Sequence, residues 1–278
     1  SDPPLLVERS RIDHIKPGNL DDDFNEIKDA DWVIEAVVER IDIKHKLYSQ
    51  IDKVRNPNSI ISSNTSTIPL SILTQEMSDS MKADFCITHF FNPVRFMRLL
   101  EIVETPTMNK DKMGGLRDFC KNELGKGIVN CNDTPGFIGN RIGVYAMQVA
   151  MYEALERGLP VEIADALFGR PLGIPKTGVF GLYDLIGIDL MKDVLASFKK
   201  ELQENDPFMD VVKPHPLVEQ LLEKGFNGNK GPGGFYQTTI VEGDEHVKAM
   251  NTSDMSYYDF DKVDLEIARR VEKEGIKA

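Results

Sequence analysis

The stretch DWVIEAVVE, residues 31–39, is followed by IDIKHKLYSQIDKVRN (41–56) and SIISSNTS (59–66). The first is a near-continuous apolar run of strand length, the pattern of a strand covered on both faces. The second places Ile43, Leu47, Ile51 and Val54 at helical spacing, and the third reads as another short buried strand. IPLSILTQEM (68–77) continues as a helix and DFCITHFF (84–91) as a further strand. Strand, helix, strand, helix, strand with short joints implies parallel strands and right-handed crossovers, so the order predicts a doubly wound α/β sheet. LLEIVE (99–104), the helix DKMGGLRDFCKNELG (111–125) and the strand KGIVNCN (126–132) extend that sheet to residue 132.

On either side the texture differs. Upstream, RIDHIKPGN (11–19) is expected as a short strand and turn, and LDDDFNEIKDA (20–30) as a short acidic helix. Downstream, DTPGFIGNRIGVYAMQVAMYEALERG (133–158) offers Thr134 as an N-cap and Pro135 in the first helical turn, and no breaker follows before Gly158. VEIADALFGRP (161–171), GVFGLYDLIGIDLMKDVLASFKKEL (178–202) and HPLVEQLLEKG (215–225) are also helical in pattern. We therefore expect two domains, residues 1–132 as α/β and 133–278 as all-α. GNKGPGGFYQ (228–237) reads as a turn, and TTIVEGDEHVKAMNTSDMS (238–256) as polar, weakly periodic chain. DKVDLEIARRVEKEGIKA (261–278) suits a final helix.

The bulk properties narrow the function classes. A formal charge of −12 over 278 residues argues against a nucleic-acid binder, because non-specific affinity for phosphate backbones needs a basic surface. No run approaches the roughly 18 apolar residues of a membrane span. The three cysteines, Cys86, Cys120 and Cys131, have no metal-ligand spacing, and their odd number does not close into disulfides. A reducing, cytoplasmic setting and no bound metal are the expectation.

In open α/β sheets ligands bind beyond the carboxyl ends of the strands. Glu39, the polar SNTS (63–66), His89 in HFFNP (89–93) and Glu101 in LLEIVE converge on that edge. A neutral imidazole accepts a proton from a substrate oxygen, and a carboxylate on the neighbouring strand fixes its tautomer and stabilises the imidazolium. Structural roles are open to the same residues: a packed core histidine, a solvated strand-end glutamate, and a helix cap for Thr65, Ser66 or Thr67. From the residues alone, the reading is an α/β plus all-α protein with an acid–base site.

Across SSNTST (62–67), THFFNPVRFMRLLEIVE (88–104) and DTPGFIGNR (133–141) the chain resembles the L-3-hydroxyacyl-CoA dehydrogenase family. The likeness continues through VIEAVVERIDIK (33–44), GRPLGIPKTGVFGLYDLIGID (169–189) and GNKGPGGFY (228–236), in the right order and at the right intervals. It implies a Rossmann-like sheet, NAD as cofactor, and oxidation of a 3-hydroxyacyl-CoA to the 3-ketoacyl-CoA during fatty-acid β-oxidation. By position it makes His89 the general base, Glu101 its orienting carboxylate, Ser66 a substrate contact and Asn140 a substrate-facing residue from the helical domain. It puts Glu39 and Lys44 near the nicotinamide ribose, Asn92 at another cofactor contact and Lys230 near the cofactor. An acyl-CoA thioester is the implied partner, and the helical domain is expected to pack against a like domain, as a homodimer or within one chain.

One family feature is not found in the sequence. The strand and G-x-G-x-x-G turn that cradle a pyrophosphate are absent, so the Rossmann-like sheet is expected to be N-terminally truncated. Such a sheet has an unpaired edge. Two readings follow. The first is the dehydrogenase, with its acid–base pair intact. The second is a catalytically incompetent piece with an incomplete cofactor site, whose helical half serves assembly through VYAMQVAMYEAL (144–155) and GLYDLIGIDLM (181–191).

Overall fold

The computed structural model describes residues 6, 8–172, 177–213, 215–241, 243–260 and 270. The chain divides into two compact units between Gly139 and Asn140, a few residues beyond the expected division after 132. The first opens with two short 3-10 helices, Arg9–His14 and Phe24–Asp29. The strand expected in RIDHIKPGN is thereby corrected: none of Arg9–His14 is buried, so no core face exists to favour an extended segment there.

The sheet follows, built from β1 (Trp32–Glu35), β2 (Ile60–Ser63), β3 (Phe85–Phe90), β4 (Leu99–Glu104) and β5 (Gly127–Asn130), which neighbour one another in sequence order. Helix α1 (Ile41–Val54) links β1 to β2, the short helices α2 (Leu70–Leu73) and α3 (Asp79–Lys82) link β2 to β3, and α4 (Lys110–Asn122) links β4 to β5. β1, β2 and β3 are parallel, as are β4 and β5, but β4 runs antiparallel to β3. That reversal corrects the all-parallel expectation. It also sets His89 directly opposite Glu101 in the register.

The two-residue period of the strands sorts the sheet's faces. Ile61, Phe85, Ile87 and Val103 join Leu47 and Ile51 of α1 in one core, while Ile60, Cys86, Leu100 and Ile102 meet Met113, Leu116 and Cys120 of α4 in another. By the same alternation His89 shares the face of Phe85 and Ile87, and Glu101 that of Val103. β1 departs from the doubly covered pattern. Ile34 is 45% exposed, because among the described residues β1 pairs only with β2. On α1 the buried stripe is Lys44, Leu47, Tyr48 and Ile51, so two polar residues occupy positions that apolar spacing passes over.

The second unit is helical through α5 (Gly139–Glu156), α6 (Val161–Leu167), α7 (Phe180–Ile186), α8 (Ile188–Glu201) and α9 (Pro216–Glu223). Thr134 does not cap α5, which begins at Gly139; Gly136 (φ 70°) and Phe137 (φ 50°) hold left-handed backbone that a right-handed helix excludes. The helix expected over 178–202 is broken into α7 and α8 at Gly187, whose φ of 101° suits glycine. Beyond Phe235 the helical pattern ends. The segment read as weakly periodic chain forms an antiparallel sheet of β6 (Tyr236–Val241), β7 (Asp244–Met250) and β8 (Tyr257–Asp259), with Ala249 and Met250 buried in the helical core. The final helix expected over 261–278 lies, apart from residue 270, outside the described residues.

Two buried aspartates tie this unit together. Asp165 of α6 accepts the amides of Val179, Phe180 and Gly181 at 2.7, 2.7 and 2.9 Å, and the Tyr236 hydroxyl at 2.8 Å. Asp184 of α7 accepts the amides of Phe235 and Tyr236 at 3.0 and 2.7 Å, fixing where the 228–234 turn enters β6. Removing the Asp165 carboxylate strands several buried donors at once. Asp165→Ala is expected to lower unfolding free energy by about 2–4 kcal/mol in urea denaturation at neutral pH, and a loss under about 1 kcal/mol would contradict this role.

Candidate active site

His89 is the fifth residue of β3 and is 4% exposed. Its Nδ1 lies 2.7 Å from Glu101 Oε2 across the antiparallel pair. The other carboxylate oxygen, Oε1, accepts the amides of Ile138 and Gly139 at 3.0 and 2.7 Å. Those amides are available because the left-handed residues Gly136 and Phe137 delay the start of α5, and the first amides of a helix have no partner within it. One strand-borne carboxylate thus holds the imidazole with one oxygen and a helix start with the other.

Glu101 itself is fully buried. Burial alone would raise its carboxyl, but the hydrogen bond to His89 and the two amides outweigh it, so the group sits below its ordinary value of 4.5. An ionised Glu101 accepts from Nδ1–H, which leaves the His89 Nε2 lone pair as the ring's proton acceptor. The ring is flanked by Phe91 and Phe137, with centroids at 4.5 and 5.7 Å. Gly139 leaves space for this arrangement: a Cβ there would stand 2.6 Å from Phe91 Cζ and 3.5 Å from Glu101 Oε1. Cys131 Sγ lies 3.6 Å from Glu101 Oε1. Burial and the adjacent carboxylate push its thiol up to about 12, so it remains protonated.

A second cluster occupies the ends of β1 and β2. Glu35, 3% exposed, accepts Lys44 Nζ at 2.7 Å on Oε1, and the hydroxyls of Tyr48 and Ser63 at 2.6 and 2.7 Å on Oε2. Burial pushes against its ionisation, but Lys44 and the two hydroxyls hold the carboxyl below its ordinary value. Lys44 also lies 3.2 Å from Glu39 Oε2. Glu39 Oε1 accepts the Thr65 hydroxyl at 2.7 Å and the Ser66 amide at 2.8 Å. Thr65 also accepts the Ile68 amide at 3.1 Å, so it caps the following turn as well. Asn64 Oδ1 accepts the Phe90 amide at 2.9 Å and joins this edge to the end of β3.

The structure places the expected site residues in two groups. His89, Glu101, Ser66, Glu39, Lys44 and Asn92 belong to the first unit, around the carboxyl ends of β1, β2 and β3. Lys44 is not the solvated surface lysine that is the commoner fate; it is 1% exposed. Glu39, by contrast, has a side chain 39% exposed. Asn140 lies in the first turn of α5 and Lys230 in the turn before β6, both in the second unit. The Lys230 side chain is half exposed, with Nζ 3.7 Å from Asp189 Oδ1. Glu35, Tyr48 and the Ile138 and Gly139 amides were not singled out by the sequence, whereas Ser63 was, as the first residue of SNTS. Glu35 had a signal, since a carboxylate inside an apolar strand needs a buried partner.

Residues 5–134 match the family model of the 3-hydroxyacyl-CoA dehydrogenase NAD binding domain, and residues 136–238 match that of the C-terminal domain. The chain belongs to the 3-hydroxyacyl-CoA dehydrogenase family, and its first unit is that family's NAD-binding domain. It is 40% identical over 263 residues to a putative fatty acid oxidation complex trifunctional enzyme of Rickettsia felis, covering 95% of this chain and 36% of that protein. A probable 3-hydroxyacyl-CoA dehydrogenase of Bacillus subtilis is 38% identical over 235 residues, or 84% of this chain and 30% of that protein. The chain therefore spans about a third of the length of these two relatives. The crystal structure of 3-hydroxybutyryl-CoA dehydrogenase from Escherichia coli K12 matches with a TM-score of 0.67 at 31% identity, covering 77% of this chain and 44% of that one.

The depressed Glu101 carboxyl carries a pH signature. A group whose folded value is lowered adds stability above its unfolded value, here near 4.5, and loses it as pH falls through the folded value. Glu101→Gln is expected to cost about 1–3 kcal/mol at neutral pH. In urea titrations the gap between the two proteins should narrow as pH drops below 4.5. A gap that is constant or widening on acidification would contradict an ionised, hydrogen-bonded Glu101.

Proposed function

We propose that this chain carries out NAD-dependent oxidation of L-3-hydroxyacyl-CoA to 3-ketoacyl-CoA, as a step of fatty-acid β-oxidation. The observation that carries the reading is the cross-strand pair of His89 and Glu101, which leaves Nε2 as the acceptor at a strand's carboxyl end. His89 takes the proton of the substrate's C3 hydroxyl on Nε2 as the carbonyl forms, and Glu101 stabilises the resulting imidazolium. Ser66 and Asn140 are each assigned a contact to the thioester substrate.

NAD, when bound, supplies the acceptor for the hydride from C3. Glu39, just beyond β1, is assigned the ribose, and the 39% exposure of its side chain supports that assignment, since a carboxylate accepts from ribose hydroxyls. Asn92, exposed just after β3, and Lys230 are assigned as further cofactor contacts, and Lys44 as part of the Glu39 subsite. The family match over both units supports the enzyme over a purely assembling helical piece.

Two further parts belong to the same proposal. Pairing of the helical unit with a like domain draws support from α5, where Ile142 and Tyr145 are 66% and 39% exposed. A cytoplasmic setting draws support from the three cysteines, all present as thiols. No helix among the described residues is long and apolar enough to cross a membrane.

The test is calorimetric titration of NAD and then acetoacetyl-CoA into the chain, followed by turnover with 3-hydroxybutyryl-CoA. His89→Gln is expected to lower turnover by about 10²–10⁴-fold, the range for a lost general base, with NAD affinity unchanged. Unchanged turnover in the variant would sink the assignment.

A further inference from the structure

The buried cluster around Glu35 has no part in the chemistry at His89, and nothing in the reaction calls for a second carboxylate beneath the sheet edge. Its connections are directional. Glu35 lies on β1, Lys44 and Tyr48 on α1, and Ser63 on β2, so three elements converge on one carboxylate that is 3% exposed. From Lys44 the contacts continue outward to Glu39 at 3.2 Å. From Glu39 they reach the Thr65 hydroxyl and the Ser66 amide at 2.7 and 2.8 Å. An ion pair that served only to fill the core would end inside it. This one ends on the amide of Ser66, the residue assigned as a substrate contact, through a carboxylate whose side chain is 39% exposed.

The charges explain why Glu35 is needed. Lys44 Nζ is shared between Glu35 at 2.7 Å and Glu39 at 3.2 Å, with the Val37 carbonyl more distant at 3.5 Å. Without a negative Glu35, the desolvated ammonium has Glu39 as its sole close counter-charge among these groups. A buried ammonium draws strongly on what remains. Lys44 would then pull Glu39 inward, away from Thr65 and Ser66.

We propose that Glu35 is a positioning residue for this reaction: by holding Lys44 it leaves Glu39 free to carry the Ser66 backbone on one oxygen and to meet the cofactor ribose. The placement of Ser66 and the affinity for NAD are then set together by one internal carboxylate. The inference rests on the proposed dehydrogenase reading for the identity of the ligand. The link from Glu35 to the Ser66 amide stands on the geometry alone.

The variant to make is Glu35→Gln. It keeps the shape of the side chain, and the Tyr48 and Ser63 hydroxyls can turn to accept from its amide, since a hydroxyl both donates and accepts. Two quantities are read: hydrogen exchange at the Ser66 amide in the chain without ligand, and the Kd for NAD. Both are expected to change by about tenfold, the equivalent of one charge-assisted hydrogen bond, with faster exchange and weaker binding. A second variant, Glu35→Leu with Lys44→Met, removes both buried charges and restores an apolar core. With the ammonium that pulls on Glu39 also gone, it is expected to recover thermal stability and Ser66 protection together. Ser66 exchange unchanged in Glu35→Gln would overturn the proposal, as would Ser66 exchange that stays fast in the double variant after its stability has recovered. Failure of the unmutated chain to bind NAD would instead count against the dehydrogenase reading, while Ser66 exchange would still decide the role of Glu35.

Discussion

The antiparallel pairing of β3 with β4 is the constraint on which the site depends. In a parallel pair the connection would carry β4 over a face of the sheet, and no short return would set residue 101 against residue 89. With the strands reversed, His89 and Glu101 are register partners, and their side chains share a face at close range. The 2.7 Å contact from Nδ1 to the carboxylate follows from strand register. Loop placement is not required for it. The same carboxylate then takes up the amides at the start of α5, so the chain between β5 and the helix is drawn onto the strand that orients the imidazole.

Buried carboxylates recur as the joints of this protein. Glu101 gathers an imidazole and two amides. Glu35 gathers an ammonium and two hydroxyls, and Asp165 gathers the first amides of α7 with a tyrosine hydroxyl. Each satisfies donors that would otherwise be stranded, which is how the low-dielectric interior tolerates the charge. They differ in what offsets burial. Glu35 has a lysine beside it, and Glu101 a histidine with two amides, and both sit below the ordinary carboxylate range. Asp165 and Asp184 have neutral donors alone, and burial lifts them to about 6 and about 7. The acids at the sheet edge are therefore held as anions, whereas those in the helical unit are poised nearer neutrality.

Much of this was legible in the sequence. Apolar runs of strand length alternating with helical spacing gave the sheet, and the polar ends of those runs pointed to Glu39, Ser66, His89 and Glu101. The reversal of β4 was missed, although the connection 91–98 is shorter than the roughly dozen residues of a parallel crossover. Lys44 and Tyr48 were missed as core residues because apolar spacing on α1 selects Ile43, Leu47, Ile51 and Val54, while the buried stripe is rotated to include a lysine that Glu35 neutralises. The delayed start of α5 was hidden because Thr134 and Pro135 are good helix starters, and only the left-handed backbone at Gly136 and Phe137 overrides them. The strands after Phe235 were hidden because most of their side chains are exposed, which removes the apolar alternation by which strands are recognised.

Everything proposed for His89 follows from Glu101 holding the proton of the neutral ring on Nδ1 and leaving Nε2 bare. Nitrogen NMR of the two ring positions, at a pH where the imidazole is neutral, tests it directly. A protonated Nδ1 and an unprotonated Nε2 are expected, with that preference lost in Glu101→Gln. A neutral ring carrying its proton on Nε2, or a tautomer indifferent to Glu101, would contradict it.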